Sequence, residues 1–275
     1  MAGTPDEALG MTRAGTATHP SPVVEAQVML TRASGAYDVL SLSVPPAPMW
    51  ERTRPGQFLV LPGDPARGRT LPSLLWVAGV SVDRIHGTTV DVVVPAGHPL
   101  GAAQEQRLLG PLGRGFGLPA EPVPALVAGH EAAVTPLRWL VSQLRDRGSR
   151  VDAVLSADDP DRHLEVGALR RQAASVVLTT GAHLERAVTD RLDAEPELAV
   201  VFAAGSRPQV RAVAAAARRA GRAVRVAALD LAEPVLCGTG ICGQCDVPVD
   251  GGARMLRACL EGPVVPGEWL VDAAG

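Results

Sequence analysis

Four cysteines lie within the last 39 residues of the 275-residue chain. Cys237, Cys242, Cys245 and Cys259 have the spacing C-x4-C-x2-C-x13-C. Three thiolates from one nine-residue loop and a fourth from a separate segment are typical of plant-type [2Fe-2S] centres, so the spacing predicts such a cluster with these four ligands. A structural zinc site, which usually takes two separated pairs, and disulfides or inert thiols are the alternatives.

Glycines separate the first three cysteines, at Gly238, Gly240 and Gly243. Glycine lets the chain turn tightly, and it lets backbone N–H groups approach a ligand closely. Hydrogen bonds from such groups to cluster sulfurs raise the reduction potential. The glycines therefore favour a redox-active cluster surrounded by backbone amides.

Two sequence patterns precede the cysteine segment. Residues 23–118 contain short β-rich runs between Pro and Gly turns, which predict a small antiparallel barrel or sandwich. From residue 124 apolar strands alternate with helical segments, which predicts a parallel sheet covered by helices on both faces. In the first helix we expect Thr135 as the N-cap and Pro136 as the first residue. One face of this helix carries Leu137, Leu140, Val141 and Leu144.

These patterns divide the chain into four predicted segments. They are a disordered tail over 1–20, a β-barrel over 21–119, an α/β domain over 120–229 and a metal module over 230–275. The last segment has too few apolar residues for a core of its own. We expect it to depend on its neighbours.

Composition excludes several classes of function. The formal charge is −3, lysine is absent and aromatic residues make up 3%, which argues against nucleic-acid binding. No apolar stretch reaches the roughly 18–20 residues that span a bilayer, so no membrane span is expected. Asp6 and Glu7 and the lack of a long apolar core near the start do not fit a secretory signal. Clustered thiols without such a signal predict a reducing, cytoplasmic location.

Three stretches resemble one protein family. CGTGICGQC at 237–245, followed by RACLEGPVV at 257–265, resembles the C-terminal module of the iron-sulfur flavoprotein electron-transfer subunits of NAD-dependent dihydroorotate dehydrogenase. PGQF at 55–58 and GPLGRGF at 110–116 resemble two further motifs of that family. The family belongs to the ferredoxin-NADP reductase superfamily. The resemblance implies an antiparallel FAD-binding barrel, a parallel-sheet domain of the NAD-binding type and a small C-terminal [2Fe-2S] module.

The same resemblance implies a function. Electrons would pass from NADH through FAD and the [2Fe-2S] cluster to FMN in a catalytic dihydroorotate dehydrogenase subunit of pyrimidine biosynthesis. The chain would be the electron-transfer component of an oxidoreductase and would carry out no pyrimidine chemistry itself. A heterotetramer with two subunits of each kind is the implied assembly.

Flavin contacts are also implied by the resemblance. The family pattern is Arg-x-x-Ser or Arg-Pro-x-Ser, in which Arg meets the flavin phosphate and Ser approaches the ring; the stretch here is RTLPS at 69–73. Either Arg69 reaches the phosphate from one residue earlier or Thr70 takes the Arg position, while Ser73 keeps the Ser position. A plain turn between two strands is the alternative. Further flavin-site residues implied by the family motifs are Gly97, Gly110 and Gly113.

The nicotinamide loop departs most from the family. Where the family has GGGIGxxP, this chain has AGHEAAVTP at 128–136, so one glycine remains and Glu131 adds a negative charge where phosphates would lie. The family's Cys-Gly-Pro appears as AGS at 204–206. These departures leave a second hypothesis, a diverged iron-sulfur flavoprotein that relays electrons between other redox partners without nicotinamide.

Two other interpretations remain open. His130 and Glu131 are adjacent at a predicted strand end and could form an acid-base pair. A hypothesis of another class is a non-redox binding subunit stabilised by zinc on the four thiolates. The remaining histidines, including His98, show no metal-ligand spacing and are expected in loops or on the surface.

Overall fold

The computed structural model describes residues 23–67, 70–83, 85, 87–102, 105–227 and 235–270. The tail predicted over 1–20 and the predicted flavin ligand Arg69 lie outside these residues. Within the described ranges, no helix is long and apolar enough to cross a membrane.

Six antiparallel strands close into a barrel in the order β1-β2-β5-β4-β3-β6. Every second residue of a strand faces the same side, and Leu40, Leu42 and Leu59 are among those that fill the barrel interior. A short helix, α1 (Pro48–Glu51), adds Trp50 to this core. The barrel strands are β1 (Val23–Ser34), β2 (Tyr37–Val44), β3 (Phe58–Leu61), β4 (Ser73–Asp83), β5 (Gly87–Pro95) and β6 (Glu105–Leu112).

The outer face of the barrel packs against the second half of the chain. Phe58 and Trp76 meet edge to face, with ring centroids 6.0 Å apart, and both belong to the core that continues into the α/β domain. Phe116, in the segment after β6, meets Phe202 at 5.7 Å with perpendicular rings. Aromatic pairs of this geometry are favourable beyond the area they bury, so the contact between Phe116 and Phe202 helps to fix the barrel on the α/β domain.

The α/β domain contains a six-stranded sheet in the order β14-β11-β10-β7-β8-β9. Strands β7 to β11 run parallel, and β7, β8 and β10 are almost completely buried, as expected between two helical layers. These strands are β7 (Ala125–His130), β8 (Val151–Ser156), β9 (Ser175–Thr179), β10 (Val200–Ala204) and β11 (Ala223–Ala227). The helices are α2 (Val134–Asp146), α3 (Val166–Gln172), α4 (Leu184–Ala194) and α5 (Arg207–Arg219).

Helix α2 has the predicted apolar face but not the predicted start. The four side chains of that face are all buried: Leu137, Leu140, Val141 and Leu144. The N-cap is Ala133, and Thr135 lies inside the first turn, where its Oγ1 donates a hydrogen bond of 2.6 Å to the carbonyl of Ala132. The predicted Thr135 cap is wrong because a 3₁₀ turn over Glu131–Ala133 leads into the helix.

The C-terminal segment consists of a small hairpin and one strand that leaves it. Strands β12 (Asp246–Val249) and β13 (Arg254–Arg257) pair with each other, whereas β14 (Val264–Pro266) runs antiparallel to β11 and extends the sheet of the α/β domain. The predicted fold class is confirmed: a closed antiparallel barrel, a parallel-sheet domain and a C-terminal module. The exact domain boundaries stay a prediction.

Candidate functional site

All four cysteines are in the C-terminal module and have free thiols. Cys242 is exposed and Cys237 is half-buried, whereas Cys245 and Cys259 are only 3% and 2% exposed. The module therefore presents one thiol to solvent and keeps two in the protein interior. The structure brings the predicted ligands into one region, and their role as ligands stays a prediction.

The loop from Cys237 to Cys245 packs tightly at its glycines. Gly238 and Gly240 have φ values of +64° and +76°, which side chains rarely adopt. A Cβ on Gly238 would lie 2.9 Å from Leu112 Cδ1 of β6, and a Cβ on Gly240 would lie 2.3 Å from Leu260 Cδ1. The glycines hold the loop between the barrel and the segment that contains Cys259.

Backbone and side-chain donors surround Cys237. Burial by itself raises the pKa of this thiol, but hydrogen bonds from Thr239 and Cys242 outweigh it and lower the pKa to about 6. One of these donors is the N–H of Thr239, 3.4 Å from Cys237 Sγ. Cys237 is therefore a thiolate at neutral pH, which is the form that binds metal.

The two buried cysteines share a proton. Chiefly because the Cys259 thiol donates to Cys245, the pKa of Cys245 is lowered to about 7, and the same contact together with burial raises the pKa of Cys259. The N–H of Gly240 also donates to Cys259. A metal displaces protons from such thiols, so the donor set of four sulfurs and several N–H groups fits an iron-sulfur cluster.

Gly113 connects the barrel to the cysteine module. Its N–H donates to the carbonyl of Cys259 at 3.0 Å, and its φ is +72°. A Cβ at this position would lie 2.2 Å from the carbonyl oxygen of Gly262 and 2.8 Å from that of Ala258. Gln57 Nε2 donates to the carbonyl of Gly113 at 2.8 Å. The PGQF and GPLGRGF motifs therefore meet at the base of the module.

The packing of these glycines is a structural role beside the predicted flavin contact. Gly110 has a φ of +133°, and a Cβ there would lie 2.8 Å from Leu59 Cδ2 and 3.0 Å from the carbonyl oxygen of Phe58. Gly110 therefore allows β6 to approach β3 closely. Cofactor contacts of Gly110 and Gly113 stay a prediction.

Ser73, the predicted ring-side residue of the flavin site, lies beside His98 of the loop after β5. His98 Nε2 lies 3.4 Å from Ser73 Oγ, and the N–H of Leu100 donates to His98 Nδ1 at 3.2 Å. Because Nδ1 accepts that bond, a neutral ring carries its proton on Nε2 and donates it to Ser73. The serine hydrogen is then free to donate to a ligand, which fits a flavin ring acceptor. Thr70, the alternative to Arg69 in the predicted stretch, is exposed.

The predicted phosphate side of the flavin site is partly occupied by protein. Gly97 has open space around its Cα, but its N–H donates to Asp38 Oδ2 at 3.0 Å. A carboxylate therefore already satisfies the donor that a pyrophosphate would need. The described residues fit the ring of FAD better than its phosphates.

The crevice between the carboxyl ends of β7 and β10 is the expected nicotinamide site. Gly129 keeps strand and helix close, since a Cβ there would lie 2.8 Å from Leu137 Cδ1. Glu131 follows with a φ of +46°, and its Oε2 pairs with Arg162 Nη1 at 2.8 Å. A protein carboxylate therefore lies at the start of the segment that leads into α2, where a dinucleotide would place its phosphates.

At the start of α5, the second helix at this crevice, hydrogen-bonding groups of the first turn are paired with side chains of the helix itself. Gln209 Oε1 accepts hydrogen bonds of 2.9 Å from both the N–H and the hydroxyl of Ser206, closing the first turn of α5. Self-capping leaves fewer free donors for an anionic ligand. Both sides of the crevice therefore offer few free donors to the pyrophosphate of NAD(H), which favours weak binding of this dinucleotide.

The hairpin between β1 and β2 covers the neighbouring side. The N–H of Ala36 donates to the carbonyl of Asp161 at 2.9 Å, and a Cβ on Gly35 would lie 2.2 Å from the same oxygen. Tyr37 follows, where burial and then the charge of Glu131 raise its pKa to about 12. The barrel therefore contacts the loop that holds Arg162 and restrains the environment of Glu131.

Comparison with known proteins agrees with the cysteine site. The model of the iron-sulfur cluster binding domain of dihydroorotate dehydrogenase B matches residues 233–271. The probable dihydroorotate dehydrogenase B electron transfer subunit of Methanothermobacter thermautotrophicus is 31% identical over 233 residues, covering 77% of each chain. This chain belongs to that family of electron-transfer subunits. The predicted family is confirmed.

Other members of the dihydroorotate dehydrogenase B electron-transfer family match in part. The subunit of Geobacillus kaustophilus is 35% identical over 163 residues, so the alignment covers 57% of this chain and 62% of that relative. The Thermotoga maritima homolog is 27% identical over 85% of this chain and 83% of its own length.

The fold of this family member is shared with solved structures. An NADH-dependent reduced ferredoxin-NADP oxidoreductase studied for flavin-based electron bifurcation has a TM-score of 0.69, with 22% identity, 94% of this chain and 91% of that chain covered. The ferredoxin reductase of carbazole 1,9a-dioxygenase has a TM-score of 0.61, with 17% identity and coverage of 77% and 70%. These likenesses confirm the ferredoxin-reductase-like architecture.

Sequence reasoning missed two side chains at these sites. His98 was expected as a loop residue without a partner, yet it orients Ser73. Arg162 was not predicted as a site residue, yet it forms an ion pair with Glu131. Both contacts join segments that are distant in sequence, so no local sequence motif predicts them.

Proposed function

We propose that this chain is the electron-transfer subunit of an NAD-linked dihydroorotate dehydrogenase in pyrimidine biosynthesis. Dihydroorotate gives two electrons to FMN in a catalytic subunit, and these electrons leave one at a time through a [2Fe-2S] cluster and then through FAD to NAD⁺; NADH drives the same relay in reverse, from FAD through the cluster to FMN. The observation that carries the proposal is the set of four free thiols on the C-terminal module, in a chain that belongs to this family.

The cluster ligands in this proposal are Cys237, Cys242, Cys245 and Cys259. Such a cluster supplies one-electron transfer when bound. The protein contributes N–H donors toward the sulfurs, two thiols of lowered pKa and burial of two ligands. These features stabilise the charge on the thiolates and limit the access of water to half of the site.

In the flavin site Ser73 donates to the ring, with His98 as its positioning partner. On the phosphate side either Arg69 reaches the phosphate or Thr70 takes the place of the family's Arg, and Gly97 allows close approach. Asp38 must release the N–H of Gly97 if a phosphate is to bind there.

A catalytic partner is proposed to dock at the exposed end of the cysteine loop. Ile241, which precedes Cys242, and Leu236, which precedes Cys237, are 86% and 44% exposed. Apolar surface of this kind costs free energy in water and is covered in a complex. The short path from Cys242 to the surface suits electron transfer to an FMN-containing subunit, in a two-plus-two heterotetramer in the cytoplasm.

The crevice favours a second candidate function. Glu131, held by Arg162, occupies the place of the nicotinamide phosphates and repels them. In this candidate the chain keeps the cluster and the flavin but receives electrons from another redox protein. A zinc-stabilised, non-redox subunit is the third candidate, and the lowered pKa values of Cys237 and Cys245 would serve zinc as well.

Anaerobic purification of the full chain tests these candidates. The wild-type chain is expected to contain about two irons and two sulfides, to be coloured and to carry FAD. Cys242→Ser should lose the iron, while the adjacent Ile241→Ser, which keeps all thiols, should retain it. A colourless, zinc-loaded wild-type protein would overturn both electron-transfer candidates.

Reduction experiments then separate the first two candidates. Bleaching of the flavin and cluster absorbance by NADH supports the first candidate. An unchanged spectrum with NADH, together with bleaching by dithionite, favours the second. Dihydroorotate oxidation coupled to NAD⁺ reduction that requires both this chain and an FMN subunit would establish the partner.

A further inference from the structure

Three potential metal-binding side chains meet at the carboxyl ends of β7 and β8. They are His130, Glu131 and Asp158, and one ligand atom of each lies within 4.8 Å of the others. The cysteine module does not contribute to this cluster. The three side chains combine one imidazole nitrogen with two carboxylate groups.

Ser156 links His130 to the backbone of the neighbouring strand. Its Oγ lies 3.2 Å from the carbonyl oxygen of Gly129, to which it donates. The same oxygen lies 3.0 Å from His130 Nδ1 and, with its proton on Gly129, accepts from that nitrogen. In the tautomer that this arrangement favours, a neutral His130 has a lone pair on Nε2.

That lone pair faces a carboxylate. His130 Nε2 lies 3.8 Å from Glu131 Oε1, and both side chains are only 16% exposed. The N–H of Asp158 donates a long hydrogen bond of 3.4 Å to the same Oε1, and a positive charge between Nε2 and Oε1 would offset the repulsion of these two acceptors. The position between Nε2 and Oε1 is therefore suited to a cation.

Other contacts hold the two carboxylates in place. Arg162 Nη1 binds Glu131 Oε2 at 2.8 Å, and the N–H of Gly181 donates to Asp158 Oδ1 at 3.1 Å. A Cβ at Gly181 would lie 2.9 Å from Asp158 Oδ1 and 3.1 Å from His130 Cε1, so glycine keeps the space that both ligands use. Partners of this kind orient the ligands in known metal sites.

We propose that His130, Glu131 and Asp158 bind a divalent cation of the zinc class. Neutral imidazole and carboxylate oxygen both suit zinc, and three protein ligands leave one position for water. The cation offsets the two carboxylates at the strand ends. This site is separate from the four cysteines and does not rest on the proposed electron-transfer function.

The test is calorimetric titration of Zn²⁺ into the full chain after removal of loosely bound metal. Wild type is compared with Glu131→Gln and with Asp193→Asn, a change of an exposed carboxylate on α4 that serves as the matched control. The difference between variants isolates this site whatever occupies the cysteines. We expect Glu131→Gln to bind one zinc fewer than wild type and Asp193→Asn to match wild type.

A second variant tests the role of the hydrogen-bond network. Ser156→Ala removes the partner of His130 Nδ1 and should weaken zinc binding about 10–100-fold without removing a ligand. Circular dichroism checks that each variant is folded. Equal zinc stoichiometry and affinity in wild type and folded Glu131→Gln would overturn the proposal and identify the contact as an ion pair of protonated His130.

Discussion

Replacing Gly113 by alanine should loosen the cysteine module from the barrel. The left-handed conformation of this residue costs an alanine about 1–2 kcal/mol. The new Cβ would also lie 2.2 Å and 2.8 Å from two backbone carbonyl oxygens, of Gly262 and Ala258. Relief requires backbone movement, at about 1–3 kcal/mol. The two costs add to a destabilisation of about 2–5 kcal/mol, which acts on the contact between the barrel and the segment that carries Cys259.

The matched control is Gly221→Ala. Gly221 has a similar φ of +66°, but a Cβ there would meet open space. The control therefore bears only the conformational cost of about 1–2 kcal/mol. The difference between the two variants measures the contact between barrel and module.

Urea titration of the cluster-loaded protein provides the assay, with cluster absorbance and circular dichroism recorded together. In Gly113→Ala we expect the absorbance to disappear at lower urea than in Gly221→Ala, and before most secondary structure is lost. Equal midpoints and equal iron content in the two variants would refute the inference that Gly113 positions the module.

Three further predictions concern single side chains. Iodoacetamide should label Cys237 of the cluster-free chain with a pH midpoint of about 6, because the thiolate is lost only below its lowered pKa; peptide mass spectrometry locates the label, and a midpoint near 9.0 contradicts the hydrogen-bond argument. Ser73→Ala should weaken FAD binding about 5–30-fold in a fluorescence titration, from a lost hydrogen bond of about 1–2 kcal/mol, and His98→Phe should weaken it in the same direction; unchanged affinity would exclude Ser73 from the site. Glu131→Gly should increase NADH affinity about 10-fold by removing a charge near the phosphates, and an affinity equal to that of wild type would contradict this reading.

The cluster motif could be predicted from the sequence because its information is local. Three cysteines and three glycines within nine residues specify both the ligands and the turns between them. The strand and helix patterns likewise predicted the barrel followed by a parallel sheet. The predicted start of α2 at Thr135 was wrong, because a 3₁₀ turn precedes the helix. The sequence has no pattern that distinguishes such a turn from a helix cap.

Contacts between distant segments could not be predicted from the sequence. The hydrogen bond from Gly113 to Cys259 and the pairing of Glu131 with Arg162 join positions that only the fold brings together. The tautomer of His130 likewise depends on Ser156 of the neighbouring strand. A single amino-acid sequence shows neither which distant residues are in contact nor which ring nitrogen of a histidine carries the proton.

The strand β14 makes the cysteine module difficult to separate from the rest of the chain. It covers β11, which would otherwise be the last strand of the sheet. A chain cut before the module would expose a row of unpaired backbone groups on β11, and uncovered sheet edges pair with other molecules. The segment that contains the thiols thus also protects the edge of the sheet against aggregation. A simple deletion of this segment therefore cannot isolate the flavin-type domains from the cluster.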